Sequence, residues 1–219
     1  MIRNLGKEKS IMNRFLAELR DEVIQKDPMR FRRNLERMGE VFAFEISKEL
    51  AYGLQEVVTS LGVAEMELPL EEPVIATILR AGIPFHQGFL NYFDRAPSAF
   101  ISCYRKHTTG NNFEIQLEYT SCPDLTGKSV ILVDPMLASG SSLYLTYREL
   151  KQFGSPKHIH IVSVISSMEG INYLRRNLPL NDVTIWTAAI DEELTARSYI
   201  VPGLGDAGDL AYGKKTTAE

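Results

Sequence analysis

The chain has 219 residues, and 44% of them are hydrophobic, which is enough to bury a core within one domain. Its 24 Lys and Arg and 28 Asp and Glu leave a formal net charge of −4, and no basic run exceeds two residues. This balance argues against nucleic acid or an anionic membrane as a partner. Two cysteines match no metal-binding spacing, and neither a signal-peptide pattern nor an apolar run of eighteen residues is present. We expect one domain over residues 1–219, in a cytoplasm that keeps both thiols reduced.

Two helices are predicted before Gly53. Apolar residues recur at helical spacing over residues 11–23. A second helix begins with Asp27 as its N-cap and Pro28 in its first turn, and its apolar face continues to about Tyr52, with Gly53 as the stop. The surplus of apolar surface on these helices predicts either a dimer interface or closure of the core.

The middle of the chain alternates predicted strands with helices, after an irregular polar stretch. Strands are predicted over residues 74–79, 99–104, 130–133, 159–165 and 183–188. This alternation indicates an α/β fold with a mostly parallel, twisted sheet flanked by helices, in which ligands bind beyond the carboxyl ends of the strands. Within the single domain we divide the chain into N-terminal helices (1–53), a core (54–190) and a C-terminal loop and tail (191–219).

The most informative segment is VILVDPMLASGSS, residues 130–142. It predicts a buried strand followed by a loop of small residues, and a helix from Leu143 to Phe153 would aim its unpaired N–H groups at that loop. Such a loop binds phosphate, although it lacks the lysine of a nucleoside-triphosphatase loop. Its one charge, Asp134, suits a sugar hydroxyl or a Mg²⁺-bound water, so a phosphorylated sugar fits both features. The alternative is an ordinary strand-to-helix turn.

A second loop, YIVPGLGDAGD, covers residues 199–209 and packs three Gly, one Pro and two Asp into eleven residues. Glycine leaves the main chain uncovered and proline stiffens it, so the loop can present backbone donors and acceptors to a flat heterocycle. The carbonyl, N–H, carbonyl edge of uracil would be matched without a charged side chain. An ordered surface turn is the alternative.

A β-hairpin is predicted near residues 106–120. The segment Thr108–Asn112 separates two runs, and residues 113–119 alternate strictly between apolar and polar.

Taken together, the phosphate loop, the segment Ile78–Gly82, Tyr104-Arg105 and the loop at 199–209 resemble the uracil phosphoribosyltransferase family, from about Phe31 to Gly213. The C-terminal loop is the most specific part, because other type I phosphoribosyltransferases lack it. The resemblance implies transfer of ribose 5-phosphate from 5-phosphoribosyl 1-pyrophosphate (PRPP) to uracil N1, which gives UMP and pyrophosphate in pyrimidine salvage. It also implies Mg²⁺ bound mainly through PRPP rather than by a protein cage, a flexible flap formed by the hairpin, and a homo-oligomer.

The resemblance implies the following site residues. PRPP would contact Arg80, Arg105, Asp206 and the loop Asp134, Pro135, Met136, Leu137, Ala138, Ser139, Gly140, Ser141 and Ser142. Uracil would contact Ile200, Gly205, Asp206 and Ala207, and Asp206 and Arg105 are the candidate catalytic residues. No covalent nucleophile is required. Some members of the family resemble GTP-activated enzymes; the basic pairs Arg32-Arg33 and Arg175-Arg176 are either solvated helix faces or part of such an effector site.

One departure separates this chain from the family pattern. Ser141 stands where the family usually has a glycine, and a positive φ at this position would strain it by about 1 kcal/mol or more. This departure supports an alternative function, a uridine-nucleotide-sensing regulator with weak or no turnover. A third hypothesis is an enzyme of the same superfamily that uses another base.

Overall fold

The structure, a computed structural model, describes residues 1–107 and 113–215, and it describes the side chains of all of these except residues 103–107 and 113–116. An eight-stranded sheet forms its centre, with the order β1-β10-β9-β7-β4-β5-β6 and with β8 paired to β9. Its strands are β1 (Ile2–Asn4), β4 (Val74–Leu79), β5 (Ser98–His107), β6 (Phe113–Ser121), β7 (Ser129–Val133), β8 (Met136–Leu137), β9 (His158–Ser167) and β10 (Val183–Asp191). All pairs are parallel except β5 with β6.

Six α-helices and two small sheets complete the described chain. The helices are α1 (Met12–Arg20), α2 (Pro28–Ser47), α3 (Gly82–Leu90), α4 (Ser141–Leu150), α5 (Met168–Asn177) and α6 (Ala207–Tyr212). Strands β2 (Tyr52–Thr59) and β3 (Gly62–Pro69) form an antiparallel hairpin, and β11 (Glu193–Leu194) pairs with β12 (Ile200–Val201). The predicted mostly parallel sheet with flanking helices is confirmed. None of the described helices is long and apolar enough to cross a membrane.

The sheet is covered on both faces, which explains the continuous apolar run in β7. Successive side chains of a strand point to opposite faces. Ile131 and Val133 join the core beneath α1, α2 and α3, whereas Val130 and Leu132 join the core beneath α4 and α5. All four side chains are fully buried. A sheet buried in this way has no polar face, and its loops at the carboxyl edge are left to form the site.

The start of α2 agrees with the sequence prediction, but its end does not. The Asp27 carboxylate accepts hydrogen bonds from the backbone N–H groups of Met29 (2.9 Å) and Arg30 (3.1 Å), as an N-cap does. The helix ends at Ser47, so the predicted continuation to about Tyr52 is wrong. Gly53 belongs to β2, where a Cβ would lie 2.6 Å from Leu70 Cδ2. Close packing in the hairpin, rather than a helix stop, therefore explains this glycine.

Two elements escaped the sequence analysis. The stretch that was expected to be irregular contains the β2–β3 hairpin, whose strands face solvent on both sides over most of their length. Strand β1, within the segment expected to be helical, forms the edge of the main sheet next to β10. Neither element shows the alternation of buried apolar and exposed polar residues that predicts a strand. Strand β1 has only three residues, and most residues of the hairpin are exposed on both faces.

Two buried histidine side chains have lowered pKa values that can be tested by titration. Burial lowers the pKa of His86 to about 4 and that of His160 to about 3. The indole N–H of Trp186 donates to His160 Nδ1 at 3.1 Å, which requires a neutral imidazole with its proton on Nε2.

We predict that neither ring takes up a proton between pH 7.5 and 5.5 in the folded protein. The unfolded chain protonates both rings below about pH 6.5, so their contribution to stability is lost as the pH falls below that value. Histidine ring resonances followed by NMR through a pH titration measure this directly. A midpoint near 6.5 for either buried ring would contradict the assignment.

Candidate active site

A cavity of about 500 Å³ lies beyond the carboxyl ends of β4 and β7. Three chain segments and one tail residue line it: Ile78, Leu79, Arg80 and Ala81; Asp134, Met136, Leu137, Ala138, Ser139, Gly140, Ser142 and Leu143; Ser198, Tyr199, Gly205, Asp206, Ala207 and Gly208; and Lys215. The two loops that the sequence singled out, more than fifty residues apart, therefore meet across a single cavity.

The phosphate loop ends in a left-handed glycine. Gly140 has a φ of 84° and is the N-cap of α4, which begins at Ser141, two residues before the predicted start. Among the described residues other than glycine, only Ser198 has a positive φ. Ser141 is therefore unstrained, and the strain expected from its replacement of a family glycine is absent. The positive φ falls one residue earlier, where the chain has kept glycine.

The N-terminus of α4 is open toward the cavity. Its N-cap, Gly140, has no side chain to cap it, and the Ser141 N–H makes only a long hydrogen bond of 3.5 Å to the Ser139 hydroxyl. The N–H groups that follow Ser141 keep their capacity to bind an anion. The Ser139 hydroxyl donates to the Ser141 hydroxyl at 3.3 Å, which gathers two further polar groups beside them. Ser142 lines the cavity, and Ser141 does not.

Contacts from β9 and α5 hold the loop from behind. The Pro135 carbonyl accepts from the N–H groups of Val164 (3.0 Å) and Ile165 (3.1 Å) of β9, and Pro135 lies outside the cavity lining. The Ser167 hydroxyl donates to the Ala138 carbonyl at 2.6 Å. A Cβ at Gly170 would lie 2.2 Å from that same carbonyl oxygen, so the loop packs directly on the α5 backbone.

Asp134 follows β7 and lies in the cavity wall. Its Oδ1 accepts a hydrogen bond from the Met136 N–H at 3.3 Å. The surrounding protein desolvates this carboxyl and raises its pKa to about 7, despite that hydrogen bond, which acts in the opposite direction. Near neutral pH the group is therefore divided between its ionised and protonated forms, and it can accept from or donate to a hydroxyl.

Arg80 joins the end of β4 to the C-terminal segment. Its Nη2 donates to Asp209 Oδ1 at 2.9 Å, and its Nη1 donates to the Gly213 carbonyl at 3.2 Å. The Nε atom is buried and has no hydrogen-bond partner among the described residues. A buried guanidinium N–H without a partner costs free energy, and an anionic ligand in the cavity would satisfy it.

The C-terminal loop is clamped by an ion pair outside the cavity. Arg20 makes two 2.8 Å hydrogen bonds to Asp191 and a third, of 2.9 Å, to the Gly203 carbonyl. Asp191 in turn accepts from the Gly203 N–H at 3.0 Å. Gly203 has a φ of 59°, and a Cβ there would lie 2.1 Å from the Ile200 carbonyl oxygen. The loop is therefore held in one conformation, which a main-chain recognition surface needs.

Asp206 and the residues beside it face the cavity. The Asp206 carboxylate is the N-cap of α6 and accepts from the Asp209 N–H at 3.0 Å. Gly205 (φ 88°) and Ala207 also line the cavity, whereas Ile200 is buried in the core and lies outside the lining. The side chain of Arg105 lies outside the described residues, as does the predicted turn Thr108–Asn112.

Sequence reasoning missed several residues of the lining. Ser198, Gly208 and Lys215 were given no role, and Arg20, which supports the loop, was not singled out. Ser198 has a φ of 60°, a left-handed conformation that is uncommon for residues other than glycine and that no sequence pattern predicted here. The basic residues in the C-terminal tail were the one signal available for Lys215.

This combination, a mostly parallel sheet, an open helix N-terminus behind a loop of small residues and a second loop facing it across one cavity, defines a type I phosphoribosyltransferase. The family model described as uracil phosphoribosyltransferase matches residues 7–214. The chain belongs to the uracil phosphoribosyltransferase family.

Individual relatives agree with this assignment. A uracil phosphoribosyltransferase of Porphyromonas gingivalis is 56% identical over 212 residues, which cover 97% of this chain and 98% of the relative. One from Pyrococcus furiosus is 38% identical over 211 residues, covering 91% and 84%. Among solved structures, the AQ2163 protein from Aquifex aeolicus is 30% identical and superposes with a TM-score of 0.86, covering 97% of this chain and 98% of that one.

Proposed function

We propose that this protein transfers ribose 5-phosphate from PRPP to uracil N1 and releases UMP and pyrophosphate, as an enzyme of pyrimidine salvage in the cytoplasm. The observation that carries the proposal is the single cavity that joins an anion-binding helix N-terminus to a glycine-rich main-chain loop. A phosphorylated sugar and a flat base need these two surfaces at opposite ends of one site. Uracil and PRPP are the substrates that the family implies.

The 5-phosphate is assigned to the cradle formed by residues 138–142. Backbone N–H groups and the helix dipole favour an anion there, and the Ser139, Ser141 and Ser142 hydroxyls add donors. Asp134 is assigned to the ribose hydroxyls, because a carboxyl with a pKa near 7 repels the neighbouring phosphate less than a fully ionised one.

Pyrophosphate is assigned to Arg80 and Arg105, which supply cations for the leaving group. Among the described residues, no group of three or more His, Cys, Asp or Glu could hold a metal ion. As the family implies, Mg²⁺ would be held mainly by PRPP, and Asp134 and Asp206, the two carboxylates that line the cavity, would bind its waters. When bound, Mg²⁺ neutralises part of the diphosphate charge.

Uracil is assigned to the main chain of Ile200, Gly205 and Ala207. The Ile200 side chain is buried, so its contact with the base would be through the backbone. Bond cleavage at the anomeric carbon builds positive charge on the ribose ring, and the Asp206 carboxylate, at the cavity wall between base and sugar, would stabilise it.

Turnover with several bases tests the proposal. Purified protein is incubated with PRPP and Mg²⁺, and uracil, cytosine, orotate and hypoxanthine are offered separately. We expect pyrophosphate release and UMP formation with uracil alone. Release with a different base would support the third hypothesis, and ligand binding without turnover would support the regulator. Because Ser141 is unstrained, the observation that favoured the regulator is gone, and catalysis is the better supported function.

The same assay with and without GTP tests GTP activation, which stays a prediction. Of the basic pair at residues 32 and 33, Arg32 already donates to the Ala211 carbonyl and Arg33 is paired with Glu36.

We also propose a homo-oligomer, assembled through the β2–β3 hairpin rather than through the N-terminal helices. Most of the apolar surface of α1 and α2 is buried within the subunit, where residues such as Leu19, Leu35 and Phe42 are 0% exposed, although Met29 and Phe44 of α2 are exposed. In the hairpin, Val58 is 83% and Leu61 is 99% exposed. A hairpin uncovered on both faces is marginally stable in water, and apolar surface of this kind marks an interface.

We predict that the double variant Val58→Glu, Val63→Glu is monomeric. These residues are exposed and directly opposite each other, and their face of the hairpin already holds the opposed pair Glu56 and Glu65, so the change replaces an exposed valine pair with two further like charges. Light scattering after gel filtration measures the mass, with Gln55→Glu on the opposite face as the control. An unchanged oligomer in the double variant, or a wild-type monomer, would contradict the proposed interface.

A further inference from the structure

We propose that Lys215, in the C-terminal tail, binds the pyrophosphate group of the substrate. This inference rests on the proposed function, because it names a further residue of the same site. It begins from the charges that face the cavity. Among the described lining residues, the charged side chains are Arg80, Asp134, Asp206 and Lys215. Their formal sum is zero, although a phosphoribosyl pyrophosphate carries several negative charges.

The two cations of this lining differ in their partners. Arg80 is paired with the Asp209 carboxylate at 2.9 Å, so much of its charge is already compensated. The Lys215 ammonium has no ion-pair partner within residues 1–107 and 113–215, and the side chain is exposed at the cavity. Lysine is a flexible point charge that suits phosphate oxygens. Lys215 therefore offers the uncompensated positive charge that the described lining otherwise lacks.

The tail is fixed so that Lys215 lies on the same side of the cavity as Arg80. The Gly213 carbonyl accepts from Arg80 Nη1 at 3.2 Å, and the Gly213 N–H donates to the Asp209 carbonyl at 2.9 Å. Two residues of chain span at most about 7 Å, so these bonds keep the Lys215 backbone close to the guanidinium. The 5-phosphate cradle at α4 contains no basic residue. Because Arg80 is assigned to the pyrophosphate and its guanidinium binds the Gly213 carbonyl two residues before Lys215, we assign Lys215 to the diphosphate end of the substrate.

The neighbouring lysine provides a matched control. Lys214 is also exposed and has the same charge, but it does not line the cavity. Lys215→Ala and Lys214→Ala therefore change the net charge and the tail equally, and they differ only in whether a cavity charge is lost. Both positions lie on the surface beyond α6, so neither substitution removes a buried contact.

The experiment measures both kinetics and direct binding. For Lys215→Ala we expect kcat/KM for PRPP to fall about three- to fivefold, the upper range for the loss of one exposed charge pair, with the KM for uracil little changed. Lys214→Ala should stay within about twofold of wild type, and Lys215→Arg should recover most of the loss. Equal losses in both alanine variants, or no loss in Lys215→Ala, would overturn the proposal.

Calorimetric titration with magnesium pyrophosphate separates this proposal from the proposed function, because it needs no turnover. We expect Lys215→Ala to weaken pyrophosphate binding about three- to fivefold and Lys214→Ala to leave it unchanged. If wild type binds pyrophosphate in this Lys215-dependent way but turns over no uracil, the proposed reaction fails while the binding site stands. If wild type turns over uracil and Lys215→Ala binds pyrophosphate normally, only the role of Lys215 fails.

Discussion

Asp206→Asn is expected to lower kcat by about 100-fold or more while the protein stays folded. Asparagine is as good an N-cap as aspartate, so the hydrogen bond that caps α6 through the Asp209 N–H survives the change. What is lost is one negative charge at the cavity wall, which the proposed function assigns to the positive charge that develops on the ribose. Removal of a single preorganised electrostatic group of this kind typically costs 10²- to 10³-fold in rate.

Steady-state kinetics with uracil and PRPP, together with a thermal melt, check this expectation. The matched control is Asp27→Asn, because Asp27 is also an aspartate N-cap, of α2, and lies away from the cavity. It should match wild type in kcat. Near-normal turnover in Asp206→Asn would remove Asp206 from the catalytic residues, and unfolding of that variant would show that its charge serves the fold.

Gly140→Ala is expected to lower kcat/KM for PRPP by about 10- to 100-fold. At a φ of 84°, an alanine is strained by about 1–2 kcal/mol. The new Cβ would also lie 3.0 Å from Tyr173 Cδ1 and 3.1 Å from the Gly170 carbonyl oxygen, so the loop or α5 must move. A displacement of the phosphate cradle by about 1 Å is enough to cost a factor of about 100.

The control for Gly140→Ala is Gly127→Ala. Gly127 has a φ of 70°, and a Cβ there would meet nothing within 4 Å, so it carries the same kind of backbone strain at a site away from the cavity. Kinetics as a function of PRPP concentration should separate the two variants, with Gly127→Ala close to wild type. Equal kinetic losses would mean that lost stability, rather than the cradle, explains the Gly140 result.

The sequence predicted those features of the structure that depend on interactions between residues close together in the chain, and it missed features that depend on distant ones. The start of α2 at Asp27 and Pro28 was predicted correctly, because an N-cap and a first-turn proline interact only with residues a few positions away. The strand at 74–79 was also predicted at its observed bounds, since its burial on both faces leaves a continuous apolar run. The end of α2 was not, because the hairpin that follows it depends on close packing between Gly53 and Leu70.

The same limit applies to the candidate site. Residues of the two loops were identified as groups, but whether Ser141 has a positive φ was left open. The path of the loop between β8 and α4 decides it, and the left-handed residue is Gly140. The Arg20 to Asp191 clamp joins residues 171 apart, and no local pattern reveals it. Lys215 lines the cavity at the end of a tail that Arg80 binds through the Gly213 carbonyl, a contact between residues 133 apart.

A crystal structure of the protein with UMP tests the central claim most directly, because one ligand occupies both halves of the site. We predict that its phosphate lies within hydrogen-bonding distance of the N–H groups of residues 138–142. The uracil edge should meet the main chain of residues 200–207, and the ribose hydroxyls should face Asp134. UMP bound outside this cavity, or with its base on the α4 N-terminus, would contradict the account.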